Sequence, residues 1–186
     1  MNALVLDGFR GVEGQSILAV LTNALAQAGY GTEVVALRDK TIAPCLGCFG
    51  CWIKTPGECV IDDDGRAVAR AAVRSDLLVY VTPVTFGGFS SELKKAVDRF
   101  IPNISPFFAR VQGETHHQRR YRRCPSLIGL GVLPQPDREA EAIFETLVEH
   151  NALNWRSPRT AAAVVALGGT SDVAAIARGL VEAVAR

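Results

Sequence analysis

The chain lacks any long hydrophobic run. Its longest apolar stretch, Ala161–Leu167, falls far short of the roughly 20 residues a membrane helix needs. It lacks an excess of either charge. The 186 residues carry 20 Lys and Arg against 19 Asp and Glu, a net charge of +1. That balance gives no reason to expect nucleic acid, an acidic substrate or an anionic membrane as partner. The first residues, Met1–Asp7, show neither a basic segment nor an apolar core of signal length, so a soluble, cytoplasmic protein is expected. There is no internal repeat and no linker-like stretch. Neither a Walker loop nor a G-x-G-x-x-G pattern occurs, and no Ser/His/Asp or paired-carboxylate set stands out, which argues against a hydrolase. The apolar share of 48% argues against disorder.

What is present is strict alternation. Short apolar runs at Asn2–Leu6, Thr32–Leu37, Leu77–Val81, Ser126–Val132 and Ala161–Leu167 read as strands. Between and after them, helical periodicity appears over Gln15–Ala28, Asp64–Arg74, Ser90–Phe100, Arg138–Asn151 and Asp172–Arg186. Strands apolar on both faces and separated by helices predict a parallel sheet covered on both sides. The expected fold class is α/β, a three-layer flavodoxin-like arrangement with a five-stranded sheet in order 2-1-3-4-5. Its ligand would lie at the carboxyl ends where the order reverses. A single domain over 1–186 is expected, with a cysteine-rich insertion at 43–63 and a long irregular loop at 102–125.

Two loops at strand ends invite a ligand. Gly8-Phe9-Arg10-Gly11-Val12-Glu13-Gly14-Gln15-Ser16-Ile17 runs from the first strand into a helix N-terminus, where free N–H groups and the helix dipole suit a phosphate. Arg10 would add charge and Ser16 a hydroxyl. The alternative is an ordinary turn capped by Gln15 or Ser16. After the third strand, Thr82-Pro83-Val84-Thr85-Phe86-Gly87-Gly88-Phe89 combines a proline, an aromatic and two glycines, which lets backbone approach a flat ligand. Its alternative is a turn carrying a core Phe.

The cysteines are clustered. Cys45, Cys48, Cys51 and Cys59 follow the spacing C-x2-C-x2-C-x7-C, with a Thr55-Pro56-Gly57 turn before the last. Four thiolates can hold an iron–sulfur cluster or zinc. They can also form a reversible disulfide, or pack as small apolar residues around Phe49 and Trp52. The fifth, Cys124, stands alone beside the fourth strand. The run His116-His117-Gln118-Arg119-Arg120-Tyr121-Arg122-Arg123 reads as a solvated loop, with the 2′-phosphate of NADPH or a partner subunit as alternatives. His116 and His117 have no carboxylate at ligand spacing in a loop, so no metal is expected there.

The segment Thr-Pro-Val-x-Phe-Gly followed by Leu-Lys-x-x-x-Asp-Arg-Phe resembles the ring-binding loop of the NAD(P)H-dependent FMN reductases and the related iron–sulfur flavoproteins. The resemblance runs from Leu4 to about Val165 and is strongest over 43–63 and 81–100. In the first loop Gly8, Gly14 and Ser16 match. Phe9 stands for a Ser, Gln15 for an Asn, and Arg10 is displaced by one position. The cysteine spacing and Cys59-Val60-Ile61-Asp62-Asp63-Asp64 are similar to the iron–sulfur flavoprotein motif.

The resemblance implies FMN held by Gly8, Arg10, Gly14, Gln15, Ser16, Ile17, Pro83, Val84, Thr85, Phe86, Gly87 and Gly88. It implies a [4Fe-4S] cluster on Cys45, Cys48, Cys51 and Cys59, and NAD(P)H as electron donor. A flavin or quinone reductase is expected, with a small-molecule electron acceptor or a redox partner protein and no catalytic acid or base. The alternatives are an FMN/iron–sulfur electron carrier without its own small substrate, and a flavin fold that has lost its cofactor. A homodimer or homotetramer with the flavin at a subunit interface is also implied.

Overall fold

The structure is a computed structural model and describes residues 1–185; Arg186, the last residue of the expected final helix, lies outside the described residues. Five parallel strands form the central sheet: β1 (Asn2–Asp7), β2 (Gly31–Ala36), β3 (Leu77–Thr85), β7 (Ser126–Leu133) and β8 (Thr160–Ala166). They lie in the order β2-β1-β3-β7-β8. Counted among the parallel strands alone, this is the expected 2-1-3-4-5. The labels are offset because three strands absent from the sequence reading intervene: β4 (Gly88–Phe89), β5 (Ile104–Val111) and β6 (Glu114–Arg119).

The sheet is sandwiched because its strands are apolar on both faces. On one side α1 (Gln15–Gln27) and α6 (Val173–Ala185) bury Ile17, Leu21, Leu25, Leu180 and Val184 against Val5, Val79 and Ile128. On the other, α3 (Asp64–Arg74), α4 (Ser91–Asp98) and α5 (Arg138–Trp155) bury Val68, Leu93, Phe144 and Val148 against Leu4, Leu78 and Tyr80. Leu4, Leu6, Leu77 and Leu78 are essentially inaccessible, each contributing about 1.5–3 kcal/mol by burial. Side-chain carboxylates or hydroxyls cap the helices of the second face: Asp63 accepts from Gly65 N–H, Ser90 from Leu93 N–H, and Asp137 from Glu139 and Ala140 N–H. Close approach of α5 to β7 depends on Gly129, where a Cβ would lie 2.4 Å from Val148 Cγ2.

Two segments depart from expectation. The 102–125 stretch is not irregular: β5 and β6 form an antiparallel hairpin that stands apart from the main sheet. Gln112 (φ 50°) and Gly113 (φ 86°) make its tight turn, the left-handed pair that suits a two-residue hairpin. The loop after β3 is also a hairpin. β3 continues past Pro83 to Thr85, and Val84 and Thr85 pair with Phe89 and Gly88 around a turn at Phe86 (φ 50°) and Gly87 (φ 74°). Among the described residues no helix is long and apolar enough to cross a membrane.

Candidate functional site

β1 and β3 end side by side where the chain crosses from one half of the sheet to the other. A cleft of about 540 Å³ opens there, lined by Gly8, Phe9, Arg10, Glu13, Pro83, Thr85, Ser90, Ser91, Val132, Leu133, Pro134 and Leu167. That volume suits a cofactor-sized ligand. Pro83, Val132, Leu133 and Leu167 make apolar walls, and the polar groups gather at the β1 and α4 ends.

The loop after β1 is built by packing. Phe9 is buried, and its ring lies so close to Gly14 that a Cβ there would sit 2.4 Å from Phe9 Cδ2. The aromatic at position 9 therefore fills the space beneath the loop and takes no part as a hydroxyl donor. Gly14 caps α1 without a side chain. The N–H groups of Ser16 and Ile17 have no partner among the described residues, whereas Gln15 N–H reaches Val12 O and Leu18 N–H reaches Gly14 O. Free N–H groups at the start of a 13-residue helix fit the phosphate end of a flavin nucleotide. The Glu13 carboxylate folds over Gly11, with both oxygens 2.6 Å from where a Gly11 Cβ would be. An incoming phosphate would drive this like charge aside.

The second loop is tied to the first through Ser90. Its hydroxyl donates to Gly8 O at 2.6 Å and accepts Leu93 N–H, while its own N–H donates to Thr82 Oγ1. One serine thus caps α4 and fixes the spacing of the two loops. Arg10 reaches the same corner, donating from Nη2 to Ser91 Oγ at 2.9 Å and lying 3.6 Å from Glu92. Beneath the cleft, buried Asp7 pairs with Arg38 and accepts Phe9 N–H. The hydrogen bond to Asp7 holds the Arg38 guanidinium above its ordinary pKa.

Of the expected FMN contacts, Gly8, Arg10, Pro83 and Thr85 line the cleft. Gln15 and Ser16 are exposed at the α1 N-terminus beside it. Ile17 offers only its N–H, since its side chain is in the core. Val84 packs into the opposite core. Phe86 is fully exposed at the hairpin turn, Gly87 lies against Ile143, and Gly88 faces Leu147 of α5. The turn therefore leans over α5 and lines no wall of the cleft. The sequence reading missed Phe9, Glu13, Ser90, Val132 and Leu167; only Ser90 carried a signal, as the cap of a helix that follows a glycine pair.

The cysteine segment lies on the far side of α4. Its short helix α2 (Gly50–Ile53) carries Cys51 and Trp52. Cys51 is buried, Cys59 half-buried, and Cys45 and Cys48 are exposed. Burial pushes the Cys51 thiol up in pKa, and Cys59, Cys45 and Cys48 are each close enough to raise it further. The four thiols thus share one neighbourhood around Cys51. Sulfurs of a closed zinc tetrahedron stand about 3.8 Å apart, given Zn–S bonds of about 2.3 Å. Among the described residues no three of these sulfurs lie within 4.8 Å of one another, so they are not drawn into that arrangement. An all-thiolate set at wider spacing fits an iron–sulfur cluster by its donor chemistry.

Arg99 and Asp63 hold the segment in place. Arg99 is 1% exposed and forms two parallel bonds to Asp63, at 2.8 and 2.9 Å. It also donates to Ala43 O and Ile61 O, and Asp63 accepts Ala43 N–H. The pair clips together the two ends of 43–63; burial alone would lower the Arg99 pKa, but its bonds to Asp63 and the nearby Cys59 hold it above its ordinary value. Trp52 stacks on Phe49, and its indole N–H donates to Ile101 O and Ile104 O.

The basic run lies elsewhere. Arg123 pairs with Asp76, which precedes β3. Pro83, on the cleft wall, is seven residues along the chain from Asp76, so this end is about 23 Å from the cleft. Tyr121 and Arg123 join Arg66, Arg70 and Arg74 around a separate cleft of about 450 Å³ next to Cys59.

A family model described as NADPH-dependent FMN reductase matches residues 1–115, which contain both loops and the cysteine segment. The chain belongs to that family. An iron–sulfur flavoprotein of Methanocaldococcus jannaschii is 36% identical over 104 residues, 55% of this chain and 53% of that protein. One from Methanosarcina thermophila is 26% identical over 92 residues, 50% and 47% of the two chains. The chain thus matches about half the length of these curated relatives. Among solved structures, an NAD(P)H:quinone oxidoreductase from Methanothermobacter marburgensis superposes with a TM-score of 0.68 at 16% identity, covering 99% of this chain and 95% of that one. An FMN-dependent NADH-azoreductase from Bacillus anthracis, solved with FMN, gives 0.63 at 13% identity, covering 99% and 97%. Likeness at this identity establishes the flavodoxin-like fold.

Proposed function

We propose that this member of the NADPH-dependent FMN reductase family binds FMN in the cleft between the β1 and β3 ends and oxidises NAD(P)H there, passing electrons to a small acceptor such as a quinone. The observation that carries the reading is the unpartnered Ser16 and Ile17 N–H pair at the start of α1, following a loop whose Gly8, Phe9, Arg10 and Glu13 line a cleft at the switch point of the sheet. Bound FMN would supply the redox chemistry. The chain's own residues would anchor phosphate at the α1 N-terminus, present Pro83, Val132 and Leu167 to the ring, and keep water from it. None has to act as an acid or base. A homo-oligomer is part of the proposal, since Phe86, Phe107, Phe108 and Ile143 are large apolar side chains left exposed.

A second reading has its own support. The thiols around Cys51, together with the iron–sulfur flavoprotein relatives, favour an FMN/iron–sulfur carrier that hands single electrons to a partner protein. Anaerobic protein loaded with FMN, with iron and sulfide assayed in parallel, separates the two. Steady-state NADPH oxidation with a quinone is the expected result. Bound iron and sulfide without any NAD(P)H oxidation would select the carrier, and absence of both activities would overturn the redox assignment.

A further inference from the structure

We propose that Glu114, His116 and His150 form a binding site for a divalent transition-metal ion of the zinc class. Read as a loop, 102–125 offers no ligand spacing there. As a strand, β6 has a period of two, which puts Glu114 and His116 on one face. His150, near the end of α5, approaches that face from outside the hairpin.

Glu114 Oε2 lies 2.7 Å from His116 Nε2 and 3.3 Å from His150 Nδ1. All three ligand atoms fall within 4.8 Å of one another. Ligands on a tetrahedral zinc stand about 3.4 Å apart, given bonds of about 2.0–2.1 Å. Small side-chain rotations would bring the three onto one ion. Two imidazoles and one carboxylate are a ligand set that zinc accepts, with the fourth position left to water. The His116 side chain is only 12% exposed, so its ring is already ordered by the surrounding structure.

The fold gives such an ion work to do. β5 and β6 pair only with each other, and an isolated two-stranded hairpin is marginal in water. The hairpin also roofs the cysteine segment. His117, on the opposite face of β6, packs in tilted ring contacts against Trp52 and Phe108 and bonds Ser105 O through Nδ1. A metal bridging β6 to α5 would staple this roof to the body of the protein without touching the FMN cleft.

The test uses Zn²⁺ alone, titrated by calorimetry into the full chain. Because cysteine thiols can also take up zinc, the reading is a difference between chains of equal thiol content. Wild type is expected to take up one equivalent more than His150→Ala, and to gain several degrees of melting temperature on zinc addition that the variant does not gain. Should His150→Ala fold poorly, Glu114→Gln keeps the side-chain shape and loses the anionic ligand. It is expected to weaken that equivalent by at least about 10-fold, the loss that even outer-shell partners cause. Equal stoichiometry and equal thermal gain in wild type and both variants would overturn the site.

Discussion

Arg99→Met is expected to destabilise the protein by about 3–5 kcal/mol, the usual cost of removing one partner of a buried ion pair. For a chain of this length the melting temperature should fall by about 6–20 °C. The size of the effect follows from what is left behind. Asp63 is half-buried at the α3 N-cap and would keep its carboxylate there without a counter-charge. Ala43 O and Ile61 O would lose their donor, and the 43–63 segment its clip. Arg99→Lys should rescue only partly, since an ammonium cannot make the two parallel bonds.

The pH dependence gives this prediction a sign. Burial alone would raise the Asp63 pKa, but bonds from Arg99, Ala43 N–H and Gly65 N–H outweigh it and hold the group below its ordinary value. A depressed pKa stabilises the fold above the unfolded value of about 3.9, and that contribution is lost as pH falls through the folded value. In Arg99→Met that contribution shrinks, because only the Ala43 and Gly65 N–H bonds remain to hold the carboxylate ionised against burial. Urea denaturation should therefore show a wide gap between wild type and variant at neutral pH that narrows in acid. Equal midpoints at neutral pH would show that the clip is not needed.

Ser16→Asp is expected to weaken FMN binding by about 10–100-fold, a loss of about 1.4–2.8 kcal/mol. The new carboxylate would stand beside the N–H groups proposed to hold the phosphate. Two like charges about 5 Å apart repel by about 3 kcal/mol near a protein surface, before screening by salt. The same substitution should leave the cofactor-free protein as stable as before or slightly more so, since an acidic group in the first turn complements the helix dipole. That pairing of results distinguishes a lost phosphate site from a damaged fold. Fluorescence titration with FMN and thermal melts of the cofactor-free chain read the two effects separately. Unchanged FMN affinity would place the phosphate elsewhere.

The elements that were legible in the sequence are those whose period is set by a continuous core. β1, α3 and β7 were read within a residue because their apolar runs face helices or sheet along their whole length. What was missed lies where tertiary contacts decide. Pro83 read as the end of a strand, yet β3 continues through it beside Val132 as the outgoing arm of a hairpin. Phe86 in a left-handed conformation gives no sequence signal, because that geometry ordinarily calls for glycine or asparagine. The β5–β6 hairpin has polar residues on both faces of β6, so no apolar alternation marked it, and Glu114 and His116 went unpaired as a result. Arg99 was visible in the Asp-Arg-Phe motif, but its partner lies 36 positions away. For the cofactor loops, the sequence located both strand ends; it could not show that Ser90 joins them, nor that Phe86–Gly88 turns toward α5.

The proposed function requires one flavin in the cleft at the β1 and β3 ends. Its most direct test is the stoichiometry and position of FMN on anaerobically purified wild-type chain supplied with the cofactor, read from the visible spectrum after gel filtration and from the loss of binding in Ser16→Asp. One FMN per chain is expected in wild type and a markedly lower fraction in the variant. A wild-type chain that elutes without flavin and melts at the same temperature with or without FMN would contradict it.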